Sequence, residues 1–245
     1  MEISVKRKLL IGIKMNASVK MLTLTYTLNT PLTPETPVSK IGEFRQTRRH
    51  CLCRLTMSVG ILILAAGRSR RMGTDKRLLP WRETRLLERS IQLCRDSGLS
   101  YRIALSCRED DDLIAQRFEP NCIRIKESDL GLGHTLAHAI GSLPRSWSGV
   151  IVHLADMPLV QVSTFQTIAH ELQKHPIVIP SYQQQWGNPR GFSQSLWPEL
   201  ALLRGDQGAK DLIKKHSDLC HVLDLADAGI LVDIDTQKDY QAWQH

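Results

Sequence analysis

No run of about 18 consecutive apolar residues occurs in the chain, so length alone excludes a membrane-spanning helix. An apolar N-terminal stretch leading to a small-residue cleavage site is also missing, so a secretory signal is not expected. The six cysteines (Cys51, Cys53, Cys94, Cys107, Cys122, Cys220) show neither CxxC spacing nor a zinc-finger framework. Cys94, Cys107 and Cys122 fall in or beside apolar periodic segments, where a reduced thiol is the expected state, and a cytoplasmic location follows. Two common phosphate motifs are absent as well. Gly73 is followed by Thr74-Asp75-Lys76 instead of Gly-Lys-Ser/Thr, which is not a P-loop. Gly67 and Gly73 are too far apart for GxGxxG, and Gly131-Leu132-Gly133 lacks the third small residue.

Charge is present but unevenly placed. The net charge is +7, yet residues 1–56 hold ten Lys/Arg against three Asp/Glu, and residues 57–245 hold 22 of each. The basic excess belongs to the N-terminal quarter, and nucleic-acid binding is not expected of the remainder. That quarter combines Thr23, Thr25, Thr27 and Thr30 with Pro31, Pro34, Pro37 and basic runs at Lys6–Lys8 and Arg48–Arg49. Apart from a short alternation near Leu22–Leu28 it sustains no helical or strand period. Residues 1–56 are therefore expected to be a disordered extension, or to precede a start at Met57, with a transit peptide as the alternative. Residues 57–245 are expected to form one domain, without repeats or low-complexity tracts.

From Val59 onward strand and helix signals alternate. Val59–Leu64 is continuously apolar, as in a strand buried on both faces, and Arg85–Arg95 carries an apolar helical stripe ended by Gly98. Strands are expected at Tyr101–Ser106, Cys122–Ile125, Val150–Leu154 and Ile177–Ile179, with helices at Asp110–Phe118, Gly133–Ser142 and Ser163–Lys174. The fold class is α/β with a mostly parallel sheet, and ligands bind such sheets at the carboxyl ends of their strands. The Gly- and Pro-containing stretch from Gly187 to Pro198 reads as a substrate-side insertion.

The segment Leu64-Ala65-Ala66-Gly67-Arg68-Ser69-Arg70-Arg71-Met72-Gly73-Thr74-Asp75-Lys76 follows the first strand directly. Small residues let backbone N–H groups approach a polyphosphate, and cations neutralise it. A solvated basic turn is the plain alternative.

These residues resemble the opening motif of the MobA-like nucleotidyltransferases, Leu-Ala-(Ala/Gly)-Gly, then Arg-Met-Gly, then Lys. Further resemblances follow in family order: Leu154-Ala155-Asp156-Met157-Pro158-Leu159, then Gly187-Asn188-Pro189-Arg190-Gly191-Phe192. Gly205-Asp206-Gln207-Gly208-Ala209-Lys210 and Asp233-Ile234-Asp235-Thr236 with Asp239-Tyr240 complete the set. The resemblance implies a three-layer, Rossmann-like fold of the glycosyltransferase-A kind. It also implies CMP transfer from CTP to the phosphate of molybdenum–molybdopterin, with Mg²⁺ or Mn²⁺. Ala66 looks like the cytidylyl branch, where the guanylyl branch carries Gly. Gly131-Leu132-Gly133-His134 departs from the cytidylyl pattern, and Asn188 stands where the family has His.

By the same resemblance, Arg71, Lys76 and Asp156 are catalytic and Asp156 with Asp235 hold the metal. Leu64, Ala65, Ala66, Gly67, Arg71, Lys76, Gly131 and Gly133 bind the nucleotide. Asn188, Arg190, Gly191, Asp206 and Gly208 face the acceptor, and a molybdoenzyme receives the product. Plainer readings stand beside these. Asp233 or Asp235 caps the last helix, with Thr236 or Asp235 as its N-cap. His134 and His138 are surface or base-contacting residues, since no third zinc ligand is in register. A different acceptor, such as a sugar or alcohol phosphate, or a molybdopterin-carrying chaperone would fit the same motifs.

Overall fold

The computed structural model describes residues 6–15, 18–27, 58–67 and 73–243. The chain divides into two units, Met1–Leu55 and Thr56–His245. In the first, where no fold was expected, β1 (Lys6–Met15) pairs antiparallel with β2 (Ser18–Thr27) from Lys6↔Thr27 to Met15↔Ser18. The Leu/Thr alternation around Leu22–Thr27 is the period-two pattern of that second strand.

The second unit is a three-layer α/β/α sandwich. Its elements are β3 (Ser58–Leu64), the short hairpin β4 (Pro80–Trp81) and β5 (Thr84–Arg85), α1 (Leu86–Asp96), β6 (Ser100–Ser106), α2 (Asp112–Phe118) and β7 (Cys122–Ile125). There follow α3 (Leu132–Gly141), β8 (Trp147–Leu154), α4 (Val162–Glu171), β9 (Ile177–Tyr182), β10 (Gln185–Trp186) and β11 (Arg190–Ser193). The chain closes with α5 (Trp197–Leu200), α6 (Lys210–Lys215), β12 (Cys220–Asp224) and α7 (Gln237–Ala242). The sheet runs β10-β9-β11-β8-β3-β6-β7, with β12 on β9. β3 is parallel to β6 and β8, β6 to β7, and β12 to β9, while β11 is antiparallel to β8 and β9.

Alternation along β3 divides the two cores. Val59, Ile61 and Ile63 pack with Leu87, Ile91, Ile114, Phe165 and Ile168, from α1, α2 and α4. Leu62 and Leu64 pack with Leu136, Ile140, Leu200 and Ile213, from α3, α5 and α6. Such two-sided burial is why β3 reads as an unbroken apolar run. A third, smaller cluster joins Trp81, Leu86, Ile234 and Tyr240. Among the described residues no helix is long and apolar enough to cross a membrane.

The stretch expected as a substrate-side insertion is in part sheet interior. β11 lies between β8 and β9, and Phe192 is 1% exposed. Gly191 is a packing glycine: a Cβ there would sit 2.8 Å from Ile168 and 2.9 Å from Leu172. Its glycine composition resembles a loop because α4 presses directly on the strand.

Candidate active site

The carboxyl ends of β3 and β8 open into a cleft of about 420 Å³. Leu64, Ala65, Ala66 and Gly67 form its floor, Leu154, Ala155 and Asp156 one wall, and Asp233 and Asp235 another. Ser128, Asp129, Gly131, Leu132, Thr135 and Asp206 line the far side, and Lys76 and Arg77 enter from below.

Local hydrogen bonds set this arrangement. Ala155 N–H donates to Leu64 O at 3.1 Å and Ala65 N–H to Ala104 O at 3.0 Å, so the two post-strand segments leave the sheet side by side. Ile234 N–H donates to Asp156 O at 3.0 Å, which sets the Asp233–Asp235 segment against Asp156. Thr236, not Asp235, caps α7: its hydroxyl accepts from Asp239 N–H, and the Asp239 carboxylate returns bonds to Thr236. The capping alternative for Asp235 therefore falls, and its carboxylate faces the cleft.

Lys76 lies between two acids. Its Nζ donates to Asp156 Oδ2 at 2.5 Å and Asp235 Oδ1 at 2.8 Å, across 80 and 159 residues of sequence. Burial alone would lower the lysine pKa, but the two carboxylates overcome this and hold the ammonium above the usual lysine value. Partial desolvation, with the Asp235 and Asp156 charges nearby, raises the Asp233 carboxyl.

Arg77, absent from the sequence expectations, braces the floor from behind. It is 4% exposed, and Nη1 donates to Ala65 O at 2.7 Å. Nη2 reaches Asp111 Oδ1 at 2.5 Å and Asp75 Oδ2 at 2.6 Å. Asp111 is fully buried and takes Ser106 N–H at 2.8 Å and Ser106 Oγ–H at 2.5 Å on its other oxygen. Burial would raise its pKa, but Arg77 and Ser106 bring it below the ordinary value. No motif marks Arg77 or Asp111. The one signal is that Arg77 follows Lys76 in a tight turn, so the two side chains leave it in different directions.

Gly131 is held at φ +110°, and a Cβ on it would lie 2.3 Å from Asp206 Oδ1 and 2.5 Å from Gly205 O. Gly133 N–H donates to Gly205 O at 2.7 Å, so residues 131–133 dock against 205–206 and carry Asp206 to the wall.

Of the expected site residues, Leu64, Ala65, Ala66, Gly67, Lys76, Gly131, Asp156, Asp206 and Asp235 converge on the cleft, and Gly133 supports it. Arg71 lies outside the described residues, as do Arg68 and Arg70. Asn188, Arg190, Gly191 and Gly208 do not line the cleft; Asn188 N–H bonds Ile230 O and Arg190 Nε bonds Gly187 O. His134 is buried instead of on the surface, with Nε2 3.9 Å from Glu127 Oε2, while His138 is exposed.

The donor chemistry fits a hard divalent cation. Asp156 Oδ1 is buried and has no hydrogen-bond partner among the described residues, although Oδ2 of the same carboxylate takes Lys76. An orphaned carboxylate oxygen beside the Asp235 carboxylate, with Asp233 close by, suits an ion that prefers oxygen ligands and retains water.

Fold and site together define the class: a three-layer α/β protein with a charged, oxygen-rich cleft at the carboxyl edge of a mostly parallel sheet. Residues 61–219 match the MobA-like NTP transferase domain, and the chain belongs to that family of nucleotidyltransferases. Among curated relatives, the purine catabolism protein PucB of Bacillus subtilis is 27% identical over 200 residues, covering 73% of this chain and 92% of that protein. A molybdenum cofactor guanylyltransferase of Xanthomonas euvesicatoria is 34% identical over 102 residues, covering 42% of this chain and 49% of that one. Rv0371c of Mycobacterium tuberculosis superposes with a TM-score of 0.68 at 28% identity, covering 77% of this chain and 97% of that one; it has also been solved with manganese.

Proposed function

We propose that the protein transfers CMP from CTP to the phosphate of molybdenum–molybdopterin with release of pyrophosphate, using Mg²⁺, for which Mn²⁺ can substitute. The observation that carries this reading is the junction of Lys76 with Asp156 and Asp235 beside the Ala65–Gly67 floor, in a chain of this family. The molybdenum cofactor relative supports the acceptor, and Ala66 supports CTP over GTP.

An acceptor phosphate oxygen bonds to the α-phosphorus of CTP, the bond from that phosphorus to the β-bridging oxygen breaks, and pyrophosphate leaves. Charge accumulates on the phosphate oxygens, so the protein contributes position and electrostatics more than covalent chemistry. Lys76 and Arg71 neutralise the triphosphate, and the backbone of Ala66 and Gly67 lets it approach closely. Gly131, with Gly133 behind it, forms the nucleoside side of the cleft, and Asp206 contacts the acceptor. Asp156 and Asp235 hold the divalent ion, which supplies Lewis-acid neutralisation of the phosphate charge. Arg77 keeps Ala65 fixed while these charges assemble. A molybdoenzyme takes the product.

The test is pyrophosphate release with Mg²⁺, molybdenum–molybdopterin and each of CTP, GTP and UTP in turn. Turnover with CTP is expected. Turnover only with a sugar or alcohol phosphate overturns the acceptor. Intact cofactor delivery by an Asp156→Ala protein, without pyrophosphate from the parent, supports a carrier instead.

A further inference from the structure

Far from the cleft, where the parallel strands β9 and β12 begin, three side chains meet, from α4, from the loop joining α4 to β9, and from β12. Glu171 ends α4, His175 precedes β9 and His221 lies on β12, paired with Val178. His175 Nε2 lies 3.7 Å from Glu171 Oε2, and His221 Nε2 lies 3.9 Å from the same oxygen. Both distances exceed a hydrogen bond, yet both imidazoles turn the same nitrogen to one carboxylate oxygen. The rings stack with centroids 4.1 Å apart and planes 7° apart, and the three ligand atoms all lie within 4.8 Å of one another.

We propose that Glu171, His175 and His221 form a binding site for a divalent transition-metal ion, with zinc as the best match, that clamps the end of α4 to the edge strand β12. The chemistry favours this class of ion over the one suited to the cleft. Two imidazoles and one carboxylate suit zinc and its neighbours, whereas magnesium prefers an all-oxygen shell. Zinc–ligand bonds of about 2.0–2.2 Å in a tetrahedron put ligand atoms roughly 3.3 Å apart, so the three atoms close inward by about half an ångström, and the two stacked rings tilt out of parallel so that both in-plane nitrogen lone pairs meet the ion. The carboxylate is already oriented from behind. Lys174 Nζ donates to Glu171 Oε1 at 3.0 Å and His170 Nε2 stands 3.8 Å from that oxygen, which directs Oε2 to the two histidines. All three ligands are partly exposed, so the ion has an entry path and water completes its shell. β12 pairs only with β9 among the described strands, and the clamp ties this edge to the helical layer.

The test titrates the full-length protein with zinc chloride by calorimetry in saturating Mg²⁺, which occupies the carboxylates of the cleft. It compares the parent with His175→Gln, His221→Gln and the double variant, and circular dichroism checks that each is folded. Loss of one zinc equivalent in the double variant is expected, with roughly tenfold or greater weakening in each single variant. Zinc should raise the melting temperature of the parent and not of the double variant. Cobalt should give a ligand-field spectrum in the parent that each substitution alters. Pyrophosphate release should be unchanged, since neither histidine touches the cleft. Equal zinc stoichiometry and affinity in the parent and the double variant would overturn the proposal, as would an unaltered cobalt spectrum. Should a glutamine variant fail to fold, Lys174→Ala, which frees the oriented carboxylate, is the substitute; unchanged zinc affinity there counts against the geometry.

Discussion

Removing the Arg77 guanidinium should cost more than removing any charge that lines the cleft openly. Arg77→Met keeps the length of the buried stem but withdraws the guanidinium donors to Asp111, Asp75 and Ala65 O. Asp111 is fully buried and keeps only the two Ser106 donors on one oxygen, so its other oxygen becomes an uncompensated buried charge. Breaking such a pair from one side costs about 3–5 kcal/mol. For a unit of this size that is a melting temperature lower by on the order of 10 °C. Arg77→Lys rescues little, because one ammonium cannot span three acceptors held by a planar fork. The double variant Arg77→Met/Asp111→Leu removes both charges and should be more stable than Arg77→Met alone, by about 2 kcal/mol of coupling. Urea unfolding of the parent, Arg77→Met, Asp111→Leu and the double variant closes the cycle, and nucleotide-induced thermal shifts report the floor. A loss below about 1 kcal/mol in Arg77→Met would refute the brace, as would simple additivity in the double variant.

Asp235→Asn should lower pyrophosphate release by on the order of 10²–10³-fold, with little change in melting temperature because its side chain is partly exposed; turnover within tenfold of the parent removes Asp235 from the site. Gly131→Ala forces a Cβ onto Asp206 and Gly205 at a positive φ, so the nucleotide KM should rise with the fold retained, and an unchanged KM argues against this wall. His153 is fully buried beside Phe165, neither ring nitrogen has a hydrogen-bond partner among the described residues, and burial depresses its pKa to about 3. The unfolded chain binds that proton first, below about pH 6.5, so stability is unaffected above that value and falls as pH drops towards 3. Between about pH 7.5 and pH 5 the loss should be about 2 kcal/mol, and His153→Leu should abolish it; an equal slope in urea titrations of both proteins sinks the assignment.

Much of the scaffold was legible because burial leaves periodic traces. Cys122–Ile125 has the same bounds in sequence and structure, and the apolar run at Val59–Leu64 is the central strand. The place of Asp156 at the carboxyl edge of the sheet, where it lines the cleft, was legible from the apolar strand before it. Arg77 was not, because a buried arginine and a solvated one look alike until the fold supplies Asp111. Asp111 itself lies in the acidic run Glu109–Asp112, which reads as a helix start favoured by the dipole. β11 was hidden because it is four residues long and Gly191 gives up its side chain to Ile168 and Leu172, which leaves Phe192 as its one large apolar residue and too little for a period.

The candidate centre is assembled from segments whose only common feature is where the fold delivers them. Asp156 ends a central strand, while Lys76 and Asp235 arrive from peripheral segments, and neither is positioned by the main sheet alone. The small third core makes that meeting reproducible. Trp81 and Leu86 follow Lys76, Ile234 and Tyr240 flank Asp235, and the four pack as one cluster. The Tyr240 hydroxyl donates to Pro80 O, and Ile234 N–H donates to Asp156 O. The apolar side of the closing segment therefore fixes its polar side: burying Ile234 leaves Asp233 and Asp235 projecting on either side of it, at the cleft. A cluster this small contributes modestly to the stability of the whole, because most of the apolar area lies in the two sheet-facing cores. Its consequence is positional. A loosened Trp81–Tyr240 contact would separate Lys76 from Asp235 while leaving Asp156 on its strand, so the apolar anchors of the closing segment, Ile234 and Tyr240, belong to the site as much as Asp233 and Asp235.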